Sequence, residues 1–363
     1  MKKTVLFFMS MAAVLVAASC NKMTSSDSPV EGKKMSVFVE IKGDMAGGLT
    51  KAVGNTAANE AKVNNLQVFV FNNGNLEDYA SVDESLTAVL NATSGTRELW
   101  AVVNAPSLAD VRTLTELKAQ ASLLGSNGLD NFVMVGSTTH ELGGDADSTH
   151  PISNTVRRIV SRVSLLGVTS DFKLSLSGAS FDVTKIYLIN VVGNQLLSIG
   201  GESAYVANPT LWLNQLGYTS TDPNALLYDV VTGVTVNNTT PFEERHDFYP
   251  YPNALGQGRS DQTADSPKAG GTNVYTSPFS ARQTMLVIEG VFHENAEDSE
   301  GVVGYYPIDL PALERNKLYL IESVKLTRRP SAYPYVPVET GESYVTISVH
   351  DWETGLSLGT IEC

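Results

Sequence analysis

Apolar side chains recur at every second position through most of this chain. That period confines it to strands with one face against a core. Near the front, Met35, Val37, Val39 and Ile41 follow it. Near the end, Val345, Ile347 and Val349 do the same. Between the first strand and the remainder lies Gly47-Gly48-Leu49-Thr50-Lys51-Ala52, a flexible joint carrying a basic residue. A strand in front of such a joint can be detached from the domain it completes.

The same reading runs along the chain. Val63–Phe71 is expected as a strand with Leu66, Val68 and Val70 on one face, and Asn72-Asn73-Gly74-Asn75 as its turn. Arg97–Val103 and Asn131–Val135 read as strands. Leu108–Leu124 reads as a helix, because Leu108, Val111, Leu114, Leu117, Ala121 and Leu124 recur at helical intervals. His140–Ile152 is a polar, Gly-rich connection, and Val156–Leu166 a basic and apolar strand. Ser180–Val192, Gln283–Phe292, Val302–Ile308 and Leu318–Leu326 are further strands, while 200–280 is rich in loops. Arg328–Pro337 is a Pro/Tyr-rich linker before the terminal strands. Two halves of short strands suggest two β-sandwich domains in series.

The front of the chain reads as an export signal. Lys2 and Lys3 precede an apolar run from Val5 to Ala18, too short for a comfortable membrane span. Ala17-Ala18-Ser19-Cys20 followed by polar residues reads as a bacterial lipoprotein site, with Cys20 lipidated; a plain secretory signal cut nearby is the alternative. Cys363 is the second of two cysteines, so with Cys20 acylated no intrachain disulfide forms and packing must supply the stability. The formal net charge of −14 argues against nucleic acid as a partner. A cut after Lys51 removes seven lysines and only four acids, and leaves the chain more acidic still.

Catalytic and metal patterns are weak. The histidines at 140, 150, 246, 293 and 350 lack metal-ligand spacing, and no cofactor or metal is expected. Gly143-Gly144-Asp145-Ala146-Asp147-Ser148 lacks the spacing of a calcium loop, and Asp147-Ser148-Thr149 fits a short O-glycosylation pattern. Nucleophile elbow, phosphate loop and dinucleotide fingerprint are absent from the sequence. Arg158 and Arg162 share a strand face opposite Arg157, and pairing with acids is the better reading than an anion site. Tyr249-Pro250-Tyr251 and Tyr333-Pro334-Tyr335 are aromatic pairs that a glycan-binding surface would expose.

Taken in order, these segments resemble the FimA-type fimbrillins, subunits of the type V pili of Bacteroidales. Cys20 precedes an alternating strand and the Lys51-Ala52 junction. Val63-Asn64-Asn65-Leu66-Gln67-Val68-Phe69-Val70-Phe71 is similar to the family's first mature strand, and Arg158-Ile159-Val160-Ser161-Arg162-Val163 to its basic strand. Leu313-Glu314-Arg315-Asn316-Lys317-Leu318-Tyr319 and Ile347-Ser348-Val349-His350-Asp351-Trp352 resemble its later signatures. The resemblance implies an all-β chain of two transthyretin-like sandwich domains, made as a lipid-anchored precursor. A trypsin-like surface protease would cut it, and assembly would follow by donor-strand exchange. One departure stands out: Lys51 occupies a place where the family carries Arg, and the first arginine is Arg97.

The expected organisation is a signal peptide at 1–19, a propeptide with the removable strand at 20–51, sandwich domains at 52–152 and 153–330, and a linker with donor strand at 331–363. The removable strand presents Met35, Val37, Val39 and Ile41; the donor presents Val345, Ile347, Val349, Trp352, Leu356, Leu358 and Ile361. Val345, Ile347 and Val349 are expected to face one way, and Pro330, Pro334 and Pro337 to hold the segment off its own domain. Expected partners are copies of the chain itself, a trypsin-like protease, and tip and anchor pilins. Contact with the outer membrane would run only through the precursor lipid. Two alternatives stay open. Both end strands are ordinary edges of one closed domain, or the chain is an uncleaved pilus anchor or lipid-anchored glycan-binding protein.

Overall fold

The alternation becomes strand in the computed structural model, which describes residues 32–43, 60–143, 150–198, 211–214, 224–254, 283–336, 338, 347–352 and 360–362. The chain is nearly all β among these residues.

Seven strands form the first sheet: β1 (Lys34–Gly43), β2 (Asn65–Asn72), β3 (Asn75–Asp83), β4 (Thr87–Thr93), β5 (Gly95–Val103), β7 (Met134–Leu142) and β8 (Ile152–Arg158), with β6 (Ala121–Leu123) outside it. Their order is β3-β2-β5-β7-β8-β1-β4. The first and last strands of that order also meet. The Asp78 carboxylate on β3 accepts from the Asn91 N–H at 2.7 Å, and Glu77 accepts from the Thr93 N–H at 3.1 Å. The sheet thus wraps round a core of its own, built from Val37, Val39, Leu66, Val68, Leu90 and Leu99 among others. The β2–β3 hairpin turns on Asn73 (φ 48°) and Gly74 (φ 79°), the two positive-φ positions a tight primed turn needs.

Two four-stranded sheets face each other in the second half. One has the order β15 (Tyr228–Asn237), β11 (Ser180–Ile189), β17 (Met285–His293), β18 (Val302–Asp309). The other runs β16 (His246–Phe248), β9 (Arg162–Leu165), β19 (Lys317–Ile321), β21 (Ser348–Asp351). Phe181 and Tyr306 of the first, 5.0 Å apart edge to face, share one core with Val163, Tyr319 and Ile321 of the second. Smaller sheets join β10 (Val168–Ser170), β20 (Ser323–Leu326) and β22 (Thr360–Glu362), and pair β12 (Val191–Val192) with β14 (Trp212–Leu213) and β13 (Asn194–Leu196) with β6. The same large core takes Phe69 and Phe71 from β2, whose Leu66, Val68 and Val70 enter the first core. β2 is therefore buried on both faces, and its run of apolar residues reflects that.

Several expectations are corrected. The helix is only Leu114–Ala119. Thr113 and Glu116 start it with a capping box, and Gln120 turns extended because Ala121–Leu123 pairs with β13. The strand expected at Asn131 begins at Met134 and runs to Leu142, so His140 belongs to it and not to the connection. Val156–Leu166 is two strands, broken at residues 159–161, because β8 completes the first sheet and β9 enters another. Leu318–Leu326 breaks likewise at Glu322. Within the loop-rich stretch β15 runs for ten residues, its alternation diluted by exposed Asp229, Val230 and Thr232.

Candidate functional site

β1 is an interior strand, bonded on both edges. It runs antiparallel to β4, with Val37 opposite Leu90 and Val39 opposite Ala88. It runs parallel to β8, with Val39 opposite Ile152 and Ile41 opposite Asn154. Val37 and Val39 are 0% exposed and Ile41 4%, while Met35 is half-buried at the rim. At about 1.5–3 kcal/mol for each fully buried side chain, these residues fix the strand strongly. Taking β1 out would leave an apolar groove between two unpaired edges, β4 and β8.

The chain leaves β1 at Gly43 and re-enters the described structure at Glu60. Cys20, Lys51 and Ala52 lie outside the described residues, as do Val345, Leu356 and Leu358. Glu60 is the hub of a buried polar cluster. Arg162 Nη1 lies 3.1 Å from Glu60 Oε1, and Arg162 Nη2 lies 2.8 Å from Asp247 Oδ2. Tyr249 Oη donates to Glu60 Oε1 at 2.7 Å. Arg158 Nε donates to the Glu60 carbonyl at 3.0 Å. Trp352 Nε1 donates to Glu60 Oε2 at 3.0 Å.

The electrostatics follow from that packing. Burial alone would lower the Arg162 pKa, but the hydrogen bond to Asp247 and the charges of Glu60 and Asp247 outweigh it and raise the value. Burial would raise the Asp247 pKa, and the Arg162 bond and charge overcome this to hold the carboxyl below the usual aspartate range. Burial first, then the Glu60 charge, push the Tyr249 phenol well above its ordinary value, which keeps it a proton donor.

The terminal segment docks on its own chain. β21 pairs antiparallel with β19, Tyr319 opposite Val349 and Leu318 opposite His350. This differs from the expectation that the prolines hold the segment away. Ser331 instead pairs with Tyr305 on β18, and the chain past it returns to the free edge of β19. The expected common face also changes: Ile347 packs on the large core, whereas Val349 is 47% exposed. Only Ser348–Asp351 is strand there, so Ile347 lies just before the pairing that sets the alternation. Trp352 is 4% exposed, its ring stacked 5.8 Å from Tyr249 and 4.7 Å below the Arg158 guanidinium. Ile361 sits in β22 at the position paired with Val324.

The structure thus brings Trp352 to the basic residues at 158 and 162, and leaves β1 in a separate core. Sequence reading missed Glu60 and Asp247, and gave Tyr249 a different role. Their signal was only the pair of arginines four apart, whose acid partners lie far away in the chain. Tyr249 and Tyr251, expected as exposed aromatics, are buried, with Tyr251 Oη bonded to Ser122 and Asn127. Tyr333 and Tyr335 are half-buried and stacked on each other.

Residues 34–173 match the profile of the family described as the major fimbrial subunit protein (FimA). Among curated protein sequences none matches the chain. The fold is similar to that of a candidate cell adhesion protein from Bacteroides eggerthii, at TM-score 0.62 and 16% identity, covering 92% of this chain and 99% of that one. A fimbrilin (fimA) from Porphyromonas gingivalis is similar at TM-score 0.55 and 16% identity, covering 90% of this chain and 96% of that one. A candidate cell adhesion protein from Parabacteroides distasonis gives TM-score 0.58 and 16% identity over 89% and 97%. Residues 34–173 are therefore similar to FimA-type fimbrial subunits, in line with the motifs of that stretch, and the fold is similar to that of the solved fimbrilin.

Proposed function

We propose that this chain is a structural subunit of the pilus shaft, without catalytic activity, activated by proteolysis and polymerised by strand exchange. In this reading Cys20 is lipidated and holds the precursor in the outer membrane. A trypsin-like surface protease cuts between Lys51 and Ala52. The observation that carries the proposal is the state of β1: an interior strand with an apolar buried face, whose covalent link to the chain that follows runs through 44–59. Cutting does not expel such a strand, but it makes its loss irreversible.

The emptied groove then takes a strand from the terminal segment of another copy, by edge pairing with alternate side chains in pockets. Val345, Ile347 and Val349 have the spacing of Val37, Val39 and Ile41. One insertion per subunit is a head-to-tail contact that does not close, and it gives a filament. Tip and anchor pilins would end it. The two-sandwich organisation, with 52–152 and 153–330 as its units, belongs to the same proposal.

Lys51 fits the cut because Arg97, the first arginine, is buried and bonded to Glu77 at 2.7 Å. An arginine-specific protease would find no site in the front of the chain. Mass spectrometry of the protein sheared from intact cells tests the proposal. A mature N-terminus at Ala52 is expected. A start at acylated Cys20 would overturn it, and would favour an uncleaved anchor or a lipid-anchored glycan-binding protein.

A further inference from the structure

We propose that Glu60, clamped by Arg162 and Arg158, is a latch that keeps the terminal strand on its own chain by gripping Trp352. The inference rests on the strand-exchange reading above and concerns the step at which the donor strand is freed. β21 is held by backbone pairing along one edge, over four residue pairs, with Val349 exposed. Such an edge strand frays easily. Trp352 is held from several sides at once. Its indole N–H reaches Glu60 Oε2 at 3.0 Å, and its backbone N–H reaches the Asn316 carbonyl at 3.4 Å. The ring packs against the Arg158 guanidinium and the Tyr249 ring. Charge-assisted bonds and a cation over an indole are the stronger kinds of contact.

The two strand slots differ in what happens when they empty. The β1 slot is lined mainly by apolar side chains, with Leu90, Ala88 and Ile152 opposite its buried residues, and water gains partners there along the freed backbone edges of β4 and β8 and at Asn154, not on the apolar face. Its apolar face stays costly in water and its open edges remain templates for pairing, so that slot favours a new strand. The Trp352 slot is lined by the Glu60 carboxylate and the Arg158 guanidinium as well as by the Tyr249 and Phe132 rings. Water can take the place of the indole N–H, while Glu60 keeps Arg162 and Tyr249. The β1 slot exposes the larger apolar face and the Trp352 slot holds a carboxylate that water can serve, which biases exchange in one direction. Glu60 lies on the retained side of Lys51-Ala52, so the latch outlasts processing and governs release itself.

Hydrogen exchange by mass spectrometry on the full precursor chain, comparing wild type with Trp352→Phe and Glu60→Gln, tests the latch. Trp352→Phe keeps an aromatic ring and removes the N–H; Glu60→Gln keeps an acceptor and removes the charge. Each is expected to speed exchange about tenfold or more at Lys317–Ile321 and Ser348–Asp351; Trp352→Phe should leave β1 and β17 unchanged, and Glu60→Gln, which also takes a partner from buried Arg162, should speed exchange far less at β17 than at β21. Unchanged exchange at β21 would overturn the proposal. Acceleration spread equally over β17 would also overturn it, because the cluster would then hold the fold and not the strand. The processed variants are then followed for filament growth. Faster exchange with faster growth supports both readings. Faster exchange without faster growth upholds the latch and overturns strand exchange as the use of this segment.

Discussion

Arg162 answers two carboxylates at once, and their side chains are only 2% and 17% exposed. Removing the guanidinium leaves Glu60 buried without that cation. Arg162→Ala should therefore cost about 3–5 kcal/mol, read by urea unfolding of the full chain. Arg162→Lys should recover only part of that, because an ammonium cannot reach both carboxylates as a fork does. The pH dependence has a definite sign. Asp247 is held below the ordinary aspartate range in the folded chain. The unfolded chain therefore takes up the proton first as pH falls. This contribution is complete above about pH 4–5 and is lost as pH falls through and below the ordinary aspartate value of about 4. Thermal melts across that range should show Asp247→Asn flatter than wild type on the acid side.

Strands differ in how much depends on them. β1 is bonded on two edges and buried on one face; β21 is bonded on one edge with Val349 in solvent. Ile41→Ala should cost about 2–5 kcal/mol in the precursor, whereas Val349→Ala should stay within about 0.5 kcal/mol, both by denaturant titration. The crossing of β7 and β8 is another fixed point. A Cβ at Gly136 would stand 2.2 Å from the Thr155 carbonyl oxygen and 2.7 Å from Asn154 Oδ1. Those neighbours lie on β8 where it passes β1. Gly136→Ala should cost at least about 1–3 kcal/mol, and hydrogen exchange should be faster at Ile152–Val156 than in β11. The period-two pattern makes β1, β2 and β5 legible from neighbouring residues alone. The helical period misled at Leu108–Leu124, where Val111 in a loop, Leu117 in the short helix and Leu124 in a turn beyond it all reach one core.

For the molecule as a whole, the strand-exchange proposal makes β1 both a part of the fold and a removable piece. Protein lacking residues 1–51 should unfold at lower denaturant than the precursor. A peptide of residues 34–43 added in excess should restore most of the difference by mass action. The same peptide with Val37 and Val39 replaced by Asp should not, since a charge would enter an apolar slot. Restoration by both peptides would overturn the groove. The net charge of −14 adds a second expectation. Like-charged subunits repel over about a Debye length, some 10 Å at 0.1 M salt, so filament growth should quicken as salt rises. Growth that slows with salt would point to ion pairs across the joint.

By itself the sequence determined the strand-rich fold, the apolar face of β1, the β2–β3 turn and the likeness to FimA-type fimbrillins. Each of these is written in neighbouring residues or in their order: side chains alternate across a strand, and only certain residues take positive φ. Tertiary structure decided the remainder. It broke Val156–Leu166 in two, because one half completes a sheet that the other half leaves. It buried Tyr249 and Tyr251 and laid the terminal strand on β19. It also joined Glu60, Arg162, Asp247 and Trp352, residues with no common local pattern. A buried charge must find its partner wherever the fold places one, and sequence distance carries no trace of that choice.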